Sequence, residues 1–205
     1  MDADIWAVSP VATANTAYFR VAATHTAAAL VLLQSNFSAA GAINGSGYRI
    51  TLTSVGDLTG VTYTIVGIQV GSTAVSTVAI AGGSTATVTT TQYWSRVDSI
   101  TPSGTSAAST MAVGYAVNLA LPRTRIRGYS YVAFTSAGTL VVQMNGTAAT
   151  NQTILNIDTP AVASSAFGGG LMFPGDGILV GRSAASTDFA VVTLTQITRA
   201  TLFCG

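Results

Sequence analysis

The chain has 205 residues, long enough for one large all-β domain or two small ones. Only 7% are charged; the eight basic residues are all Arg, the seven acidic ones all Asp, and the net charge of +1 leaves no footprint for nucleic acid or an anionic membrane. One His and one Cys exclude an intramolecular disulfide and most metal centres built from those residues.

Without Lys and Glu two strong helix formers are missing, while Thr, Val, Ser and Gly are plentiful, so the composition argues for β structure. Mean hydropathy is +0.52, yet the longest strongly apolar run, Ala27 to Leu33, is far short of the ~20 residues that span a bilayer. The start, Met1-Asp2-Ala3-Asp4-Ile5-Trp6, is acidic and lacks the basic opening of a signal peptide. So few charges on so apolar a chain point to work inside an assembly that covers much of its surface.

Taken from the N-terminus, residues 1–47 read as an arm and first strands packing on the first domain. Asp2 to Pro10 is the arm, and the Ala- and Thr-rich stretch Ala12 to Ala29 has room for a short helix, although Thr and Val weaken it. Residues 48–121 form the first β-sandwich domain. In Tyr48-Arg49-Ile50-Thr51-Leu52-Thr53 the apolar residues alternate with polar ones, and the alternation resumes at Val61–Ile65 after Gly56-Asp57 and Gly60, as in a hairpin. Further strands are expected at Val75–Ile80, Thr85–Thr91, Tyr93–Ile100 and Met111–Leu119.

Pro122 and the Arg cluster after it break this pattern, and residues 122–128 read as a linker. Residues 129–205 form the second β-sandwich domain, with strands at Tyr129–Phe134, Thr139–Met144, Thr153–Ile157, Gly170–Phe173, Ile178–Val180, Asp188–Leu194 and Thr198–Phe203. The fold class is therefore all-β: two tandem β-sandwich or jelly-roll-like domains with an N-terminal arm.

The residues offer little for chemistry. His25 is the only candidate base for a Ser or Cys nucleophile, no Gly-x-Ser-x-Gly elbow occurs, and it reads as a surface or subunit-contact histidine. Cys204 has no CxxC partner and reads as a packed small hydrophobe. Asp158, Asp176 and Asp188 are better explained by loops and turns than by a carboxylate pair, and no calcium-loop pattern is present. Gly82-Gly83 and Gly168-Gly169-Gly170 lack the Lys-Ser/Thr of a phosphate loop and read as flexible turns. We expect no enzyme, and no catalytic, cofactor-binding or metal-ligating residue. A carbohydrate- or receptor-binding module is the alternative from another class, with Trp6, Tyr93 and Trp94 as stacking candidates.

One constellation stands out. In an extended strand residues two apart share a face, so Arg123, Arg125 and Arg127 would present three guanidinium forks suited to carboxylates on a partner protein. The competing reading is a solvated linker whose charges protect an edge.

Tyr48-Arg49-Ile50-Thr51-Leu52-Thr53-Ser54, Gly60 to Gly67, Tyr93-Trp94-Ser95-Arg96-Val97-Asp98-Ser99-Ile100-Thr101-Pro102-Ser103-Gly104, Pro174-Gly175-Asp176-Gly177-Ile178-Leu179, and Ala190 to Leu194 with the ending Phe203-Cys204-Gly205 resemble small virion proteins of tailed bacteriophages. The resemblance covers roughly residues 44 to 205 and carries no functional residue. It implies a virion protein assembled in the host cytoplasm: a capsid decoration (cement) protein, a homotrimer that binds the major capsid protein and stabilises the head shell. A neck, tail or fibre component is the alternative within the same particle.

Overall fold

The computed structural model describes residues 6–10, 13–35, 37, 45–133, 137–144, 152–159, 168–174, 177–180, 190–195 and 197–205. Every regular element among them is a β-strand, and every ladder is antiparallel. In chain order the strands are β1 (Trp6–Val8), β2 (Asn15–Ala23), β3 (Tyr48–Val55), β4 (Thr62–Gln69), β5 (Val75–Ala81), β6 (Thr87–Pro102), β7 (Thr110–Tyr115) and β8 (Leu119–Leu121). They continue with β9 (Thr124–Ala133), β10 (Gly138–Met144), β11 (Gln152–Thr159), β12 (Gly168–Met172), β13 (Ile178–Val180), β14 (Ala190–Thr195) and β15 (Ile197–Cys204). The chain divides into two compact units: Thr13–Phe37 with Gly47–Ala116, and Met1–Ala12 with Ser38–Ser46 and Val117–Gly205.

The first unit is one six-stranded sheet in the order β2-β7-β3-β6-β4-β5. Alternation does the local work: Tyr48, Ile50 and Leu52 on β3 and Tyr63 and Ile65 on β4 are fully buried. The strands expected at Thr85–Thr91 and Tyr93–Ile100 are one sixteen-residue strand, β6. Its first half pairs β3, with Trp94 opposite Tyr48, and its second half pairs β4, with Pro102 opposite Tyr63. No Gly or Pro interrupts residues 87–101, and a side chain repairs the irregular step on the β3 side. Where the β3 ladder shifts register, the Thr90 hydroxyl accepts from Ile50 N (3.0 Å) and donates to Gln92 O (2.9 Å).

The segment after β2 then closes a circuit. Leu33 N donates to Phe19 O on β2 (2.6 Å), Leu30 N donates to Ile100 O on β6 (2.8 Å), and Val97 N of β6 donates to Ser35 O (2.9 Å). Inside this circuit Tyr18, Phe19, Phe37, Tyr48 and Tyr115 pack ring on ring, with centroids 4.8–5.9 Å apart. The helix considered for Ala12 to Ala29 is absent: Asn15–Ala23 is a strand paired with β7, because its aromatic and β-branched residues gain more from this core than from a helical turn.

The second unit holds a four-stranded sheet, β11-β10-β14-β8, and a sheet in the order β1-β15-β9-β12, with β13 also on β9. Register places Leu119 opposite Val192, Leu121 opposite Ala190, and Val192 opposite Val142, so that one face of the first of these sheets is a buried aliphatic layer with Leu140.

Residues 122–128 do not run as a linker. From Thr124 the chain is β9, flanked by β15 on one side and by β13 and β12 on the other. Thr124, Ile126 and Gly128 are buried while Arg125 and Arg127 are half-exposed, which is the period of a strand and outweighs the charge of the segment. Residues 1–47 do not go together either. Trp6–Val8 pair with Leu202–Cys204 in the second unit, whereas 13–37 belong to the first. Gly168-Gly169-Gly170 open strand β12 instead of forming a turn, since a side chain at Gly170 would meet the Tyr129 carbonyl oxygen at 2.6 Å.

Candidate partner-binding face on strand β9

Arg125 and Arg127 stand two apart on β9, roughly 6.5–7 Å along the strand, and share a face. The main chain beneath them is fixed. Arg125 N donates to Gly205 O (3.1 Å) while Gly205 N donates to Arg125 O (3.0 Å), and Phe173 N donates to Arg127 O (2.7 Å). Arg123 lies outside the strand, exposed in the bend that leads into it. Thus two of the three arginines share a strand face and the third precedes it. Because β9 is paired on both sides, these charges do not protect an edge.

Two residues further along β9 escaped sequence reasoning. Opposite Phe203–Cys204 the ladder shifts by one residue, so the period of two breaks at Arg127, and Tyr129 and Tyr131 stand opposite the buried Leu202 and Ala200, on the face away from Arg125 and Arg127. Their rings are 6.4 Å apart and inclined by 16°, and Phe173 packs on Tyr129 at 6.0 Å. Counting by twos from Arg125 does not reach that face, because the bulge leaves no mark in the local pattern. The outer face thus offers the guanidinium forks of Arg125 and Arg127, suited to carboxylates on a partner.

His25 sits in a cleft of about 460 Å³ lined by Arg20, Thr24, Thr26, Leu30 and Val31 among others. Its Nδ1 is 3.1 Å from Thr26 O, which only accepts, so in the neutral ring Nδ1 donates there and Nε2 accepts from the Tyr63 hydroxyl at 2.7 Å. The main chain of His25 is held by Ser106: His25 N donates to Ser106 Oγ (2.7 Å), and Ser106 N donates to His25 O (3.0 Å). Burial pushes the Tyr63 hydroxyl up to about 12, against a lesser pull from Arg20, so it is a proton donor at neutral pH. Arg20 donates to the carbonyls of Ala23, Thr24 and Met111 at 3.0, 2.8 and 2.5 Å, and burial lowers its pKa. Every polar atom of His25 named here serves to clamp the segment after β2.

Trp94 is fully buried, so it offers no platform to a sugar; Arg49 lies over the Tyr93 ring at 5.6 Å, and the side chain of Trp6 lies outside the described residues. Asp158 is exposed on β11, while Asp176 and Asp188 lie outside the described residues. Cys204 is buried, and burial pushes its thiol up to about 12. Among the described residues no three His, Cys, Asp or Glu side chains come together as a metal site, and no helix is long and apolar enough to cross a membrane.

Compared with known proteins, the chain matches no family model, no curated protein and no solved structure.

Proposed function

We propose that this chain is a structural protein of a tailed-bacteriophage virion, a capsid decoration (cement) protein that binds the major capsid protein and strengthens the head shell. In this reading its two units are tandem β-sandwich or jelly-roll-like modules with an N-terminal arm, and it acts as a homotrimer in particles assembled in the host cytoplasm. The observation that carries the reading is the half-exposed pair Arg125 and Arg127, two apart on a strand paired along both edges, in a chain otherwise poor in charge. Such a face is rigid and presents side chains rather than backbone, which suits docking on a fixed lattice. The low charge supports it as well, because a surface this apolar is kept from aggregating most simply by being covered.

The experiment is to purify particles that carry the protein and count copies by quantitative mass spectrometry, with cryo-EM to place the density. Hundreds of copies on the head lattice are expected. A dozen or fewer on the tail axis would assign the chain to the neck, tail or fibre, and absence from particles would overturn the virion reading altogether.

A further inference from the structure

Edge strands invite pairing with other chains, and proteins blunt them by shortness, charge, proline or a covering segment. Among the described residues the other edge strands are blunted. β1, β8 and β13 are three residues long, β11 carries Asp158, β12 begins with three glycines, and β2 carries Arg20 and receives a hydrogen bond from Leu33. β5 carries none of them. Its sequence, Val-Ser-Thr-Val-Ala-Ile-Ala, holds no charge, no proline and no glycine, and no charged residue occurs anywhere between Asp57 and Arg96. Among the described residues its backbone pairs with β4 alone.

The face of β5 that adjoins the core is also unfinished. Val78 lies opposite Ile65 and Ile80 opposite Tyr63, so both continue the layer that buries those two residues completely. Val78 and Ile80 themselves remain half-exposed. A further strand along β5 would complete the layer.

We propose that this strand is β5 of a second copy, paired antiparallel about a two-fold axis through Val78. Register follows from the strand itself. With Val78 opposite its twin, Val75 meets Ala81, Ser76 meets Ile80 and Thr77 meets Ala79, so every residue of both strands is paired and core-side residues meet core-side residues. A slip by one residue would set the core side against the exposed side, and a slip by two would leave residues at both ends unpaired. A neutral edge meeting its own copy carries no charge repulsion, and the contact closes on itself instead of propagating. It is independent of the three-fold association proposed above: alone it holds two chains, and with both contacts present and the two axes meeting at right angles the assembly holds six.

The test uses the full chain. Thr77→Lys/Ala79→Lys changes two exposed positions that face each other across the axis, placing four cations in the joint. Light scattering at tens of micromolar should show the mass of the parent halved in this variant, whatever the parent's stoichiometry. In a Cys204→Ser background, Val78→Cys should cross-link to its twin under mild oxidation and run at twice 20.7 kDa, whereas Ser76→Cys, facing Ile80, should not. An unchanged mass in the lysine variant, equal cross-linking at positions 76 and 78, or open-ended fibres of the parent would each overturn the proposal.

Discussion

The imidazole Nε2 of His25 and the hydroxyl of Tyr63 are 2.7 Å apart, which ties the irregular segment after β2 to β4, the strand beside the β5 edge of the six-stranded sheet. The segment's backbone bonds to β2 and β6 close the core circuit, and this side-chain bond pins its start. Tyr63→Phe keeps the buried ring and removes only the donor. We expect a loss of about 1 kcal/mol by urea denaturation at pH 7, as for one hydrogen bond. The variant should also respond differently to base. Tyr63 has its pKa raised from 10.0 to about 12 by burial, so its contribution is fully present below pH 10 and is lost as pH rises to about 12. Parent and variant stabilities should therefore converge across that window, and parallel curves would show that the hydroxyl does not titrate with folding.

Gly47 is buried beside the Trp94 carbonyl, and a Cβ there would collide with backbone that has no room to shift. Gly47→Ala should cost about 1–3 kcal/mol through overpacking. Gly60 has nothing within 4 Å of the same added atom, so Gly60→Ala should stay within about 0.5 kcal/mol of the parent. Equal melting temperatures for the two variants would contradict the close approach of β3 and β6.

Cys204 should behave as a masked thiol. With its pKa pushed from 9.0 to about 12, the folded protein at pH 8 holds a thiolate fraction about a thousandfold below that of the unfolded chain. Labelling by a disulfide reagent should be slow in buffer and fast in guanidinium. Because the folded value is the higher one, the thiol's stabilising contribution declines from pH 9 toward pH 12. Prompt labelling of the native protein at pH 8 would place the thiol at the surface.

On the docking reading, Arg125→Ala/Arg127→Ala should reduce particle occupancy at least tenfold at low salt, and binding of the parent should weaken between 0.05 and 0.5 M salt, as screening lengths fall below ~10 Å. Adding Arg123→Ala should contribute less, because Arg123 lies in the exposed bend and not on the strand face. Normal occupancy of the double variant at both salt levels would remove these arginines from the interface, and circular dichroism of the free variant would show whether the sheet had survived.

Much of the fold was legible because the local signal of a strand is its period of two. Tyr48-Arg49-Ile50-Thr51-Leu52 and Thr124-Arg125-Ile126-Arg127 carry that period in their own side chains, and for the latter it outweighs three arginines and a proline that suggest a linker. The scarcity of helix formers likewise decided the all-β class before any contact was known.

Which strands become neighbours is another matter, since a ladder is a relation between distant residues and leaves no mark in either one alone. Trp6 pairs with Cys204 from the opposite end of the chain. Trp94 could be read as a sugar platform until β6 was seen to serve β3 with one half and β4 with the other, which encloses the indole at the turnover point. His25, isolated in sequence, acquires its role from Tyr63 and Ser106, residues whose positions only the folded sheet determines. Composition and alternation thus determined that this chain makes strands and which face of each is apolar. Tertiary structure alone decided the pairings, because only there do long-range hydrogen bonds and buried area offset the loop entropy of bringing residues together.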